Sequence, residues 1–191
     1  MASVPLVLGF DTSGAYCAAA LLRGGHLLGT ASEEMAKGQA ERLMDLLHDL
    51  LKDHETAWTN LDALAVGTGP GNFTGIRIGV SAARGLALGL GIPAYGVTGF
   101  EARARLAAPG HTVAIPAPRD MAYSMTPSGP QLGPISDISN PAPPPAPDEM
   151  AHAIAAYATT LWPTPAPPPA PYYLRAPDAA PARDAPPAIL T

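Results

Sequence analysis

Few side chains in this 191-residue sequence are placed to do chemistry. Asp11-Thr12-Ser13 closes an apolar run, and an acidic residue at a strand end can hold a metal ion and orient phosphate. The competing reading is a turn, with Asp11 accepting from the backbone and Ser13 adding a hydroxyl bond. The stretch "GTGPGNFTG", residues 67–75, joins a strand end to a helix start, where backbone N–H groups can receive an anion. Gly69 and Gly71 are its candidate contacts. It is not a P-loop, because no Lys-Ser/Thr follows and the GxGxxG spacing is not met. The histidines His26, His48, His54, His111 and His152 form neither HxxxH nor HExxH. His48 and His54 fall on different helix faces and read as solvated. Cys17, the one cysteine, excludes an internal disulfide and a cysteine-based zinc cluster, and reads as a small core residue of a strand. Glu33, Glu34 and Glu41 fit a solvated surface. No catalytic group and no metal set emerges from these residues.

The elements that would position Asp11 and the glycine loop come from hydrophobic periodicity. "PLVLGFDTS" reads as a buried strand. "AYCAAALLRGG" reads as a second, turning at Gly24-Gly25, and "HLLGTASEE" as a third, giving an antiparallel meander. A helix follows from about Gln39 to Asp53, with Leu43, Leu46, Leu47, Leu50 and Leu51 on one stripe. "LDALAVGTG" is a strand, residues 75–90 a helix capped by Thr74 or Asn72, "IPAYGVT" a strand and "GFEARARLA" a helix. "TVAIPAPRDMAYSM" resembles a hairpin weakened by Pro116 and Pro118, with Arg119 and Asp120 in its turn. The order β-β-β-α-β-α-β-α predicts a mixed sheet with helices packed on it.

Eight of the chain's 19 glycines lie between Gly67 and Gly91. At 100° per residue, Gly75, Gly79, Ala82, Leu86 and Gly89 form one narrow stripe of the second helix. Ile76, Val80, Ala83, Ala87 and Leu90 form an adjoining apolar face. A helix apolar over most of its circumference is buried on more than one side. One side belongs to its own sheet; the second predicts a partner chain, with small residues allowing close approach.

Composition shifts near residue 135. Fifteen of the 24 prolines lie between Pro141 and Pro187, in runs that favour polyproline II and exclude sheet ladders. Within them, Asp148 is the expected cap of a short helix reaching about Leu161, with Met150, Ile154, Tyr157 and Leu161 on one face. The expected division is a lobe over residues 1–100 and a reduced lobe over 101–191. No apolar run reaches bilayer length, and the start lacks the basic and apolar segments of a signal peptide, so a cytoplasmic protein is expected. Net charge is −5, without a Lys/Arg cluster to track a phosphate backbone. Any dealings with nucleic acid would run through another molecule.

Three stretches carry a resemblance. "GFDTS", then "GTGPGNFTGIRIGVSAARGLALGLGIPAYGVTGFEA", and finally "PYYLRAPD" at residues 171–178 are similar to the TsaB (YeaZ) family. The resemblance covers residues 5 to about 126 and resumes at 171. It implies the actin/sugar-kinase/Hsp70-like (ribonuclease-H-like) superfold, with the second lobe truncated. It also implies a subunit that does no catalysis itself. Such a subunit partners the catalytic relative TsaD and the ATPase TsaE to place threonylcarbamoyl on N6 of adenosine 37 in ANN-reading tRNAs. TsaD carries a metal-binding HxxxH whose histidines match Gly99 and Arg103 here, so no metal and no cofactor is expected. The helices matching Gln39–Asp53 and residues 75–90 form the family's interface with TsaD, or with a second TsaB copy when TsaD is absent. That assigns Leu43, Leu47, Leu50, Gly75, Gly79, Ala82, Leu86 and Gly89 to a partner surface. The alternative is an ATP-using enzyme of the same superfold, with Asp11, Thr12, Ser13, Gly69 and Gly71 at the nucleotide.

Overall fold

The first strand shows no polar–apolar alternation because both its faces are covered. In the computed structural model, which describes residues 4–174, β1 (Leu6–Asp11) is buried along its whole length. It lies at the centre of a five-stranded sheet of order β3-β2-β1-β4-β5. β2 (Tyr16–Arg23) pairs antiparallel with β1, and β3 (His26–Glu34) antiparallel with β2. Gly24 and Gly25 turn the β2–β3 hairpin with φ of 57° and 85°, a left-handed pair that glycine adopts without steric cost. β4 (Ala63–Gly67) and β5 (Ala94–Val97) add parallel strands on the other side of β1. α1 (Gln39–Asp53) leads into β4, α2 (Phe73–Leu90) joins β4 to β5, and α3 (Gly99–Leu106) follows β5. This is the expected mixed sheet of ribonuclease-H-like order.

Alternate residues of each strand feed two separate cores. Leu6, Leu8, Phe10, Cys17, Leu21, Leu64 and Val66 point to α1 and α2 and meet Leu43, Leu46, Leu47, Leu50, Ile76 and Val80. Val7, Ala18, Ala20, Leu22, Ala63 and Ala65 point the other way. The helix on that second face arrives from far along the chain: α4 (Pro147–Leu161) lays Ala151, Ile154, Ala155 and Ala158 on β1 and β2. The approach is close enough that a Cβ on Gly9 would sit 2.6 Å from Ala155 Cβ and 2.9 Å from its backbone.

Asp148 does not cap α4. Ala146 holds the N-cap position and Pro147 the first turn, where a missing N–H costs nothing. The Ala146 N–H instead donates to Glu149 Oε2 at 2.8 Å. Of the two cap candidates for α2, Asn72 serves: its Oδ1 accepts from Thr74 N at 3.0 Å and Gly75 N at 3.1 Å. Gly91, at φ 68°, ends the helix.

Between α3 and α4, β6 (Ala114–Ala117), β7 (Met121–Thr126) and β8 (Gly129–Pro134) form a separate three-stranded antiparallel sheet. Arg119 and Asp120 make the β6–β7 turn at φ 63° and 54°. β8 is an addition to the expected hairpin. Its Pro130 and Pro134 suit an edge strand, where one N–H row needs no partner.

Candidate functional site

Three loops meet at the carboxyl ends of β1, β4 and β5, where open α/β sheets place ligands. Asp11 ends β1 and is fully buried. Its Oδ1 accepts from Ser13 N at 2.9 Å, and its Oδ2 from Ser13 Oγ at 3.0 Å and from Tyr16 Oη at 2.6 Å. Burial, then the charge of Asp11, pushes the Tyr16 phenol well above its ordinary range, so it stays protonated and donates. Thr12 Oγ1 donates to Gly75 O at 2.7 Å. A Cβ on Gly75 would collide with the Thr12 carbonyl oxygen, which is why α2 can start only against a glycine there. Gln39, buried at the start of α1, donates to the carbonyls of Thr12 at 3.2 Å and of Gly14 and Tyr16 at 2.8 Å. Gly71 packs on the Ser13 carbonyl, and Asn72 N donates to that same oxygen at 2.7 Å. Gly69, at φ 93°, passes its carbonyl to Gly99 N at 2.8 Å.

The structure therefore brings Asp11, Thr12, Ser13, Gly69 and Gly71 together, with Asp11 held by Ser13 and Tyr16, Thr12 Oγ1 bonded to Gly75 O, the Ser13 carbonyl to Asn72 N and the Gly69 carbonyl to Gly99 N. Arg103 of α3 stands beyond them, largely desolvated, which lowers its pKa; Tyr16 and Asp11 oppose that shift. Among the described residues, its Nη1 reaches only the Ala114 carbonyl, at 3.4 Å. Among the described residues, no group of three or more His, Cys, Asp or Glu is placed to hold a metal ion. Cys17 is buried beside Met35 and Gln39, and burial pushes its thiol up to about 11.

The second candidate surface is the groove between α1 and α2, about 390 Å³, lined by Ala40, Leu43, Met44, Arg77, Ile78 and Ala82. The eight residues expected to face a partner divide here. Leu43, Leu47 and Leu50 lie within the chain's own core, with Leu43 also reaching the groove floor. Gly75 and Gly79 are filled from within by Thr12, a Cβ on Gly79 falling 2.6 Å from Thr12 Oγ1. Ala82 and Leu86 are part-exposed, and Gly89 opens onto empty space. Met44 is 41% and Leu88 87% exposed. The single glycine stripe is thus two: an inner half moulded to Thr12, just past the end of β1, and an outer half left bare. The roles of Gln39, Tyr16 and Arg103 were not legible, because a buried polar tie between loops has no sequence period. The apolar "PYYL" comes back to the first sheet: Tyr172 N donates to Thr68 O at 2.8 Å. Residues 175–178 of that stretch lie outside the described ones.

The family described as TsaD, tRNA N6-adenosine threonylcarbamoyltransferase, matches residues 27–129. The tRNA threonylcarbamoyladenosine biosynthesis protein TsaB of Escherichia coli is 38% identical over 92 residues, 48% of this chain and 39% of that protein. TsaB of Bacillus subtilis is 37% identical over 95 residues, 50% of this chain and 42% of that protein. The chain thus spans about two fifths of the length of these curated relatives. A solved Pseudomonas aeruginosa protein, described as uncharacterized with similarity to peptidase YEAZ, superposes with a TM-score of 0.73 at 25% identity. That match covers 90% of this chain and 100% of the other. YeaZ from the same organism superposes with a TM-score of 0.65 at 24% identity, over 83% and 92% of the two chains. With the family matched over more than half of its length and both sequence and fold pointing to one branch, the chain belongs to the TsaB/YeaZ family of TsaD relatives.

Proposed function

We propose that this chain is a non-catalytic scaffold subunit for N6-threonylcarbamoylation of adenosine 37 in ANN-reading tRNAs. It acts in the cytoplasm by pairing with a TsaD-type catalytic subunit through the outer face of α1 and α2. The TsaE ATPase and tRNA meet it through that complex, and alone it pairs with a second copy of itself. The carrying observation is the open apolar groove between α1 and α2, with Met44 and Ala82 on its walls. An apolar surface of this kind on a monomer marks an interaction site. The strand-end cluster supports a non-catalytic role, since the Asp11 oxygens are held by Ser13 and Tyr16. No described helix is long and apolar enough to cross a membrane. Reconstitution of tRNA threonylcarbamoylation tests this: modification depends on the chain, and Met44→Glu or Ala82→Glu abolishes both copurification of the catalytic subunit and modification. Full modification without the chain defeats the reading.

A second reading rests on the gathering of Asp11, Gly69 and Gly71 at the sheet's carboxyl end, where a nucleotide would sit. Calorimetry with ATP or ADP decides it: binding that disappears in Asp11→Ala supports nucleotide use, and no heat of binding removes it.

A further inference from the structure

After α4 the chain runs back over the carboxyl end of the sheet. Tyr95 Oη donates to Thr164 O at 2.9 Å, Pro169 is buried against Gly96, and Tyr172 N is held by Thr68 O. The run ends on α2. Tyr173 stacks on Phe73 with ring centroids 4.7 Å apart and planes at 28°. The Arg77 guanidinium lies 3.9 Å from the Phe73 centroid, and its Nε donates to Tyr173 Oη at 2.8 Å. Tyr173 remains 40% exposed, so this stack is part of the outer surface.

Arg77 also lines the α1–α2 groove. Among the described residues its terminal nitrogens, Nη1 and Nη2, make no hydrogen bond, since Nε is the atom tied to Tyr173. A guanidinium held at Nε and stacked on an aromatic ring keeps its two-pronged end free for a carboxylate. Fixing its rotamer beforehand lowers the conformational entropy lost on binding.

We propose that the returning segment completes the docking surface: Tyr173 is a positioning residue that holds Arg77 at the groove rim to pair with a carboxylate of the docked partner. This rests on the α1–α2 docking reading above. The Pro-rich run before Tyr173 is then a stiff strap that delivers an aromatic side chain to a fixed point, rather than a free tail.

The test measures pairing of the full chain with the catalytic subunit at about 50 and 300 mM salt. Thermal melting confirms that each variant is folded. Arg77→Gln weakens pairing about tenfold at low salt and flattens its salt dependence. Tyr173→Ala does the same, and Tyr173→Phe, which keeps the stack but loses the hydroxyl, weakens pairing about threefold. In the double variant with Arg77→Gln, Tyr173→Ala adds less than twofold, because both act through one guanidinium. Pairing of Tyr173→Ala within twofold of the unaltered chain, with its salt dependence intact, overturns the inference while Ala82→Glu still abolishes pairing. Intact pairing in Ala82→Glu overturns the docking reading itself, and this inference with it.

Discussion

The two faces of the five-stranded sheet are packed by opposite means. On one, α1 supplies a row of leucines, and large side chains fill the space between helix and sheet. On the other, α4 supplies alanines, and its backbone comes down onto Gly9. Both bury the strand side chains, one by filling a gap and the other by closing it. The difference teaches which changes each face tolerates. The leucine face is harmed by losing volume and the alanine face by gaining it.

Leu47→Ala gives the largest expected effect. The side chain is fully buried, and its removal leaves a cavity that costs about 3 kcal/mol, read from the shift in urea midpoint. The mirror experiment is Gly9→Ala, which adds one methyl where Ala155 stands and costs about 2 kcal/mol. A neutral Gly9→Ala would break the comparison, showing that α4 can retreat without loss. Tyr157→Phe probes how α4 is held sideways: its hydroxyl donates to Glu101 Oε1 of α3 at 2.9 Å, and losing it costs about 1 kcal/mol. Gly89→Ala is the smallest and has the opposite sign. Nothing lies within 4 Å of a Cβ there, so it stabilises by about 0.5 kcal/mol through the unfolded chain. Placed beside a destabilising Gly79→Ala, it separates the inner from the outer half of the α2 stripe.

Legibility in the sequence follows the same division. Leucines at i, i+3, i+4, i+7 and i+8 announce α1 to the residue, because large apolar side chains among charges carry a period. The strands of the meander and the β2–β3 turn are equally plain, from an apolar run and a Gly-Gly pair. α4 was visible as a short helix, but not its destination: alanines set among prolines and alanines give no contrast. Close packing by small residues leaves a signal at the receiving strand, Gly9, which in isolation reads as a weak point. At the strand ends, the sequence leaves Asp11 with Ser13 open between a metal or phosphate contact and a turn, and the two bonds from Ser13 to Asp11 are those of the turn. Tyr16 and Arg103 were not legible, since only the fold brings them to Asp11. The α2 stripe misled for the same reason. Gly75 and Gly79 have the spacing of an outer contact, yet Thr12 occupies their hollow.

Thr112 and Pro141 meet as an isolated bridge, with Thr112 N donating to Asn140 O and Ala142 N to Thr112 O, each at 2.9 Å. Everything between leaves and re-enters the molecule at one stem. Ile115 against Gly99, and the Ala114 carbonyl near Arg103, tie this small sheet to the rest. In engineering terms the stem is a graft point. A loop of another size, or a reporter module, spliced there has to refill the contacts that Ile115 and Ala114 make with α3.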